Sequence, residues 1–372
     1  MTPDERYMKI ALKLARRGFG SVEPNPAVGA VIVKNDKIIG AGWHKEFGGQ
    51  HAEINALENC KKQGANSKGA TMFVSLEPCC HFGKTGPCAD ALIAAKLKKV
   101  FVATLDPSKH ANGKGVARLR KASIEVDVGI CQNEARLLNA PFIKFAKTGK
   151  PWVTLKWAQS VDGFLARTDK KRWITGLKSR IDAHKLRRRV SAILVGINTV
   201  LKDDPLLTPR PAQGKKPLRI VLDNNLRVPL NCKLLASANE APVLIVTKNK
   251  SLIRKKAKQI ISRGAKLLGF PDKTKSNLKF LLKYLRKLGV QRLLVEGGPT
   301  IIRSFLKANL ADEVIVYIAP VVLATKGRAD IEKALAGIDN RSRLHYLNIE
   351  RLGDDVRING LSENGLKAAE IS

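Results

Sequence analysis

Twice along the chain, short apolar runs alternate with stretches whose apolar residues recur at helical spacing, and Gly149-Lys150-Pro151 separates the two series. Short apolar runs bounded by turn residues suit buried strands. A helix after each strand is what parallel pairing requires, because the chain must cross back before it can pair in the same direction. Both halves are therefore expected to be layered α/β units. Pro151 disfavours a helix across the junction, since the residue before a proline is pushed out of the helical region. The expected domains are 1–148 and 149–372, each long enough to bury its own core.

In the first series, residues 4–17 place Tyr7, Ile10, Ala11 and Leu14 on one helical face. Pro24-Asn25-Pro26 breaks the chain, and 28–33 reads as a buried strand. Lys34-Asn35-Asp36-Lys37 is a hairpin turn into a strand over 38–43. Helices are predicted over 52–63 and 88–96, and strands over 70–76 and 100–105. In the second series, strands are predicted over 153–158, 192–196, 218–222, 243–246, 292–296 and 313–319. Helices are predicted over 179–190 and 300–309, with a basic helix pair covering 251–288. No internal repeat or low-complexity linker interrupts either series.

Lysine and arginine number 67 against 32 aspartate and glutamate, a formal net charge of +35. The excess is +10 over residues 1–149 and +25 over 150–372. Such a balance suits phosphate neutralisation by a nucleic-acid-binding protein. The cations are dispersed, however, and between Lys250 and Arg292 they alternate with Leu and Ile as on solvated helix faces. No aromatic RNA-binding motif accompanies them. A nucleic-acid partner is thus not expected, whereas attraction of anionic small molecules is. At 44% hydrophobic residues the chain is not a disordered polycation. No run of 18 apolar residues exists, so a membrane span is not expected, nor a secretory signal at Met1-Thr2-Pro3-Asp4-Glu5-Arg6. A cytoplasmic location is expected.

Of the six cysteines, Cys60, Cys131 and Cys232 are isolated and read as small apolar residues. Cys79, Cys80 and Cys88 cluster, which in a cytosolic chain points to a metal before a disulfide. His51-Ala52-Glu53 opens a predicted helix, Glu77-Pro78-Cys79 closes a strand, and Gly86-Pro87-Cys88 opens the next helix. One imidazole and two thiolates suit Zn²⁺ with a fourth position for water, the pattern of a catalytic site. Glu53, two residues from His51, can move the water's proton without being a ligand. His-x-Glu followed by Pro-Cys is the known signature of zinc deaminases. Eight residues separate the two cysteines here instead of two. Cys80 competes with Cys79 for the metal, although Pro78 fixes the approach to Cys79. His44 and His81 fit further ligands, polar groups beside an anionic substrate, or loop histidines.

With these residues in view, the chain resembles the bifunctional riboflavin-biosynthesis deaminase–reductase family. The likeness runs from about Tyr7 to at least Val322. It rests on the stretch from Pro24-Asn25-Pro26 to Val33, on Gly42-Trp43-His44, on His51-Ala52-Glu53 and on the long loop from Glu77 to Cys88. In the second half it rests on Leu155 to Gly163, Trp173-Ile174-Thr175-Gly176, Gly196 to Arg210 and Glu296-Gly297-Gly298-Pro299-Thr300. The resemblance implies a cytidine-deaminase-like α/β/α fold followed by a dihydrofolate-reductase-like α/β fold. It implies that zinc-bound hydroxide removes the 2-amino group of a pyrimidine carrying phosphoribosylamine. NADPH then delivers hydride to the ribosyl C1′, giving a ribityl chain.

By the same resemblance, His51, Cys79 and Cys88 would hold one zinc ion per chain and Glu53 would shuttle protons. Asn25, His44, His81 and Lys84 would contact the deaminase substrate. Ala158, Trp173, Thr199, Asp203, Asn224 and the run Gly298, Pro299, Thr300, Ile301, Ile302, Arg303 and Ser304 would line the NADPH site. Lys171, Arg187, Leu207, Arg210 and Glu296 would contact the reductase substrate, and Lys156 would lie near the hydride path. Arg187 and Arg210 are suited to grip a phosphate bidentately if they converge. Lys171, Asn224 and Cys80 each stand where the family usually has serine. The phosphorylated pyrimidine is the expected partner, and a homo-oligomer is expected.

Overall fold

The computed structural model describes residues 1–81, 86–108, 110–169, 171, 173–210, 216–271, 277–336 and 343–371. It divides into two compact units. One comprises Met1–Gly149 with Ala368–Ser372, the other Lys150–Lys367. The sequence-based division had no returning C-terminal segment. Ala369 and Ile371 are buried, which gives that segment an apolar reason to leave solvent. Among the described residues no helix is long and apolar enough to cross a membrane.

The first unit opens with α1 (Pro3–Ala15), started by a capping box in which Thr2 and Glu5 each accept the other's backbone N–H. Strands β1 (Gly29–Lys34) and β2 (Lys37–Trp43) pair antiparallel, and Asn35 and Asp36 turn between them in the left-handed region. Then come α2 (Ala52–Lys62), β3 (Thr71–Val74), α3 (Cys88–Ala94), β4 (Lys99–Val102), α4 (Lys114–Lys121), β5 (Glu125–Val128) and α5 (Gln132–Thr148). The sheet runs β2-β1-β3-β4-β5, with β3, β4 and β5 mutually parallel. Side chains of β1 alternate between two cores. Ala30 and Ile32 join Ala52 and Ala56 of α2 and Leu92 of α3, while Val31 and Val33 join Tyr7, Met8 and Ala11 of α1.

Two local features set the loops above this sheet. Helix α5 breaks at Asn139, because Pro141 has no N–H to give. The Asn139 side chain accepts from the Ala27 N–H at 3.0 Å and donates to the Ala27 carbonyl at 2.9 Å, which anchors the end of the Pro24-Asn25-Pro26 segment. Gly42 lets α2 lie directly on β2, since a Cβ there would overlap the Ala56 nitrogen and the Ala52 carbonyl.

The second unit holds β6 (Trp152–Ser160), β7 (Phe164–Arg167), α6 (Leu177–Arg188), β8 (Ala192–Gly196), α7 (Ile197–Asp203) and β9 (Leu218–Leu222). It continues with α8 (Lys233–Ala236), β10 (Val243–Lys248), α9 (Lys255–Ser262), β11 (Lys266–Phe270), α10 (Asn277–Lys287), β12 (Arg292–Glu296) and α11 (Pro299–Lys307). The end of the unit adds β13 (Glu313–Ala319), β14 (Gly327–Asp330), α12 (Ile331–Leu335), β15 (His345–Leu352) and β16 (Asp355–Leu361), and α13 (Glu363–Ala369) follows. The main sheet runs β11-β10-β9-β8-β12-β6-β13-β16-β15 and is parallel from β11 to β13. Ile193, Val195 and Ile245 face one core, and Leu194, Leu244 and Val246 face the other. The expected helix pair over 251–288 is corrected by β11, which pairs with β10 between the two helices. Lys266 next to Leu267 and Leu268 gave that strand a helical look, yet only a sheet partner satisfies its backbone.

The close α2–β2 approach yields a prediction. Gly42→Ala will force α2 off the sheet and lower the melting temperature of the first unit's calorimetric transition, with a loss of about 1–3 kcal/mol.

Candidate active sites

The first unit's cavity has a volume of about 480 Å³. Three sequence-predicted residues, His51, Glu53 and Cys79, line it, and Cys88 lies buried against them, because strand ends and helix starts converge there. His51 is the residue before α2, and Glu53 lies in that helix's first turn. Cys79 follows β3, and Cys88 begins α3. The His51 Nδ1 is 3.2 Å from the Cys88 Sγ and 3.5 Å from the Cys79 Sγ, and the Cys88 N–H donates to the Cys79 Sγ at 3.3 Å. The three ligand-type atoms lie within 4.8 Å of one another. All six cysteines are free thiols.

The electrostatics of this floor match a cation-binding donor set. A hydrogen bond from Cys88, with burial opposing it and His51 adding to it, pulls the Cys79 thiol down to about 4. The Cys88 thiol is pushed up, first because its proton is committed to Cys79 and then by burial. Two sulfurs thus share one proton, an arrangement that a divalent metal relieves. The N, S, S donors suit zinc. Burial raises the Glu53 carboxyl to about 7, with a backbone hydrogen bond and His51 only partly opposing it.

The cavity wall includes Asn25, His44 and His81. His44 lends its Nδ1–H to the Gln50 carbonyl at 3.0 Å, and its Nε2 is 3.2 Å from the Asn25 amide nitrogen. Both ring nitrogens are thus engaged away from the thiols. The Cys80 sulfur lies 3.8 Å from the His110 carbonyl instead of joining the cluster. Lys84 lies outside the described residues. The wall also contains Asp106, Ser108 and His110, from the turn that follows β4. Burial raises the Asp106 carboxyl, and hydrogen bonds from Ser108 oppose this.

Beneath that turn, Glu77 is buried. It accepts backbone N–H groups from Asp106 at 3.1 Å, Gly113 at 2.9 Å, Gly115 at 2.8 Å and Val116 at 3.3 Å. One side chain therefore braces both the strand end that carries Cys79 and the far wall.

The second unit's cavity is larger, about 1320 Å³. It lies at the C-terminal ends of the parallel strands, where crevices form in such sheets. Ala158, Trp173, Thr199, Asp203, Asn224, Gly298, Pro299, Thr300, Ile301 and Ser304 all line it. So do Lys156, Lys171, Arg187, Leu207, Arg210 and Glu296. Ile302 and Arg303 are not part of this wall. Ile302 is fully buried, because one face of α11 packs on the sheet while Ile301 and Ser304 face the opening. Trp173 is 53% exposed with the Arg180 guanidinium 5.0 Å from its ring, so it is a wall residue rather than core. Asn198, inside the Gly196 to Arg210 stretch, also lines the cavity, as do Arg180, His184 and Tyr317, which carried no readable motif.

Arg187, expected from the sequence to suit a phosphate together with Arg210, pairs here with a carboxylate. Its Nε and Nη2 donate to the two Glu296 carboxylate oxygens at 2.8 and 2.7 Å. Burial alone would raise the Glu296 carboxyl. Arg187, through charge and hydrogen bonds, and then Lys156 and His184 outweigh that and hold it at about 2. Lys156 is pulled below its usual range by burial, with Glu296 opposing. Its ammonium sits 5.2 Å from the centre of the Tyr317 ring, and the Tyr317 hydroxyl donates to Asp182 at 2.6 Å.

This pair sets an acid dependence. The folded Glu296 carboxyl titrates below its ordinary 4.5, so its stabilisation is present above pH 4.5 and lost as pH falls toward 2. In Arg187→Met the buried carboxyl loses its main cation. The variant will be less stable by about 3–5 kcal/mol near neutrality, and the deficit will shrink on acidification, as urea titrations between pH 4 and 8 will read.

Residues 1–104 match the family model described as the cytidine and deoxycytidylate deaminase zinc-binding region, and residues 151–358 match the RibD C-terminal domain. The riboflavin biosynthesis protein RibD of Aquifex aeolicus is 46% identical over 95% of this chain and 97% of its own length. A solved RibD of Acinetobacter baumannii superposes with a TM-score of 0.82 at 36% identity, covering 97% of this chain and 99% of that one. A Thermotoga maritima structure, titled a diaminohydroxyphosphoribosylaminopyrimidine deaminase/5-amino-6-(5-phosphoribosylamino)uracil reductase, superposes with a TM-score of 0.83 at 34% identity over the same shares.

Proposed function

The chain belongs to the RibD family of riboflavin biosynthesis proteins, and from that membership we propose that it carries out two consecutive reactions on one phosphorylated pyrimidine. The first unit hydrolyses the 2-amino group of 2,5-diamino-6-(5-phosphoribosylamino)pyrimidin-4-one. The second reduces the ribosyl group of the product to ribityl. The observation that carries this reading is the meeting of His51, Cys79 and Cys88 in one donor cluster, with His51, Cys79 and Glu53 lining one cavity.

In the first unit, His51, Cys79 and Cys88 would hold one zinc ion per chain. Zinc, when bound, supplies Lewis acidity that brings the pKa of water toward neutrality. Glu53 is buried on the same floor, and its carboxyl near 7 suits both taking and giving a proton at working pH. It takes a proton from the attacking water and returns one to the departing nitrogen, so that C–NH₂ and water become C=O and ammonia. Asn25, His44 and His81 face the base, and Lys84 is assigned to the phosphate by family likeness.

The second unit uses a nicotinamide cofactor, which we take to be NADPH, as the source of hydride. Backbone N–H groups at the start of α11, around Gly298-Pro299-Thr300, suit its phosphates. Ala158, Trp173, Thr199, Asp203, Asn224, Ile301 and Ser304 complete that wall. Ile302 and Arg303 support it from behind. Leu207, Arg210, Glu296 and Lys171 face the pyrimidine, with Arg187 holding Glu296 in its ionised form. Lys156 lies along the hydride path. Opening of the sugar leaves the added hydride on C1′ and a proton on the ring oxygen.

We also take the working form to be a homo-oligomer. Strand β15 is an edge strand that exposes Tyr346 by 45%, Leu347 by 56% and Ile349 by 66%, a surface that in a monomer invites pairing. Sedimentation as a multiple of the chain mass tests this, and a monomer at working concentration refutes it.

One assay tests both reactions by following ammonia release and NADPH oxidation separately. Glu53→Gln will keep its zinc by metal analysis and lose deamination by at least about a hundredfold, while the reductase step remains on the deaminated substrate. Cys88→Ser will lose most of its zinc.

A further inference from the structure

Loop residues Asp204 to Arg210 follow α7 and carry Leu207 and Arg210 to the larger cavity. Leu207 has φ +56 and is buried to 2%. A branched side chain in the left-handed region persists only when its surroundings over-determine it. Those surroundings grip the loop at two points. The carboxylate of Asp204, a residue itself at φ +39, accepts the Lys233 N–H at 2.8 Å at the start of α8. The Leu206 carbonyl accepts from the Arg219 Nη1 at 3.0 Å.

Arg219 is the least expected of these groups. It sits on β9 in a position that reads as plain core strand, and it is fully buried. Among the described residues no carboxylate forms an ion pair with it. Its Nη1 also reaches the Ser237 hydroxyl at 2.8 Å, and its Nη2 reaches the carbonyls of Ser237 at 2.9 Å and of Ala241. Its Nε has no partner. An apolar residue would fill this strand position without the cost of burying a cation. What the guanidinium adds is a rigid fork joining the Leu206 carbonyl to the chain just after α8.

We propose that Arg219 is a positioning residue for the reductase reaction, clamping the Leu206 carbonyl so that Leu207 keeps its left-handed turn and Arg210 meets the substrate. It need not touch the substrate itself. The inference rests on the reductase reading above, but its structural half is measurable without turnover.

The test uses the full-length, zinc-loaded chain with Arg219→Met and Arg219→Lys. Arg219→Met will raise the KM for 5-amino-6-(5-phosphoribosylamino)uracil at least tenfold, with kcat changed less than threefold and NADPH affinity within twofold. Backbone amides between Leu206 and Arg210 will exchange with deuterium at least tenfold faster, while β8 and β9 keep their protection. The lysine variant will recover part of both effects. Deaminase turnover will stay at the wild-type rate and report that the chain is intact.

Unchanged KM and unchanged exchange would overturn the proposal. So would a matched loss of NADPH and substrate binding with exchange spread across β8 and β9, since that describes a mere core residue. If Arg219→Met does not fold, Arg219→Lys decides alone by the same criteria. If the wild-type chain fails to reduce the pyrimidine, the reductase reading falls, and the exchange data still judge the clamp.

Discussion

A parallel strand can be followed by another only after the chain has crossed back over the sheet. In both units this constraint sends strand ends and helix starts to one rim, and the chemistry collects there. In the first unit, β3 delivers Cys79, β4 leads to Asp106, and the starts of α2 and α3 supply His51, Glu53 and Cys88. In the second, β8 leads straight into α7 with Thr199 in its first turn, β9 ends two residues before Asn224, and β12 ends at Glu296. The helix starts bring unpaired N–H groups to the same places, which favours thiolates in one cavity and phosphates in the other.

Three buried glutamates show how differently that rim treats one residue type. Glu53 has little compensation for lost water, and burial lifts it to about 7, where a proton is easily taken or given. Glu77 accepts four backbone N–H groups, so it acts as a brace between loops. Glu296 is held near 2 by Arg187 and Lys156 in spite of its burial, so it remains a fixed negative charge at working pH. Only the first of these environments suits proton transfer, and it lies beside the thiols.

Much of this was legible in the sequence. The hairpin at Asn35 and Asp36, the helix starts at His51 and Cys88, and the strand–turn–helix at Glu296 to Thr300 all follow from local pattern. Their signals are short-range, and turn and cap residues carry them. Strand β11 was misread because a charged, leucine-rich run has no period that separates one short strand from a helix. Nothing beyond 319 was read at all, since β15 and β16 alternate weakly and draw their pairing from β13. Arg187 showed its positive charge but not its partner, which lies 109 residues away. The burial of Glu77 and Arg219 was likewise invisible, because long-range contacts decide it.

The two buried arginines of the second unit make the same point about specificity. Arg187 is balanced by a carboxylate, so the pair is close to neutral and can sit at an open cavity with little effect on its field. Arg219 is satisfied largely by carbonyl oxygens, and the partial charges of several peptide groups do the work of one acid. Such a site resists small shifts, because moving any carbonyl leaves a buried cation undersatisfied. That is the property a left-handed Leu207 requires of its neighbours. The shape of the pyrimidine's wall is thus set by backbone held in place from beneath, and substitutions that leave every cavity-lining side chain untouched can still alter it.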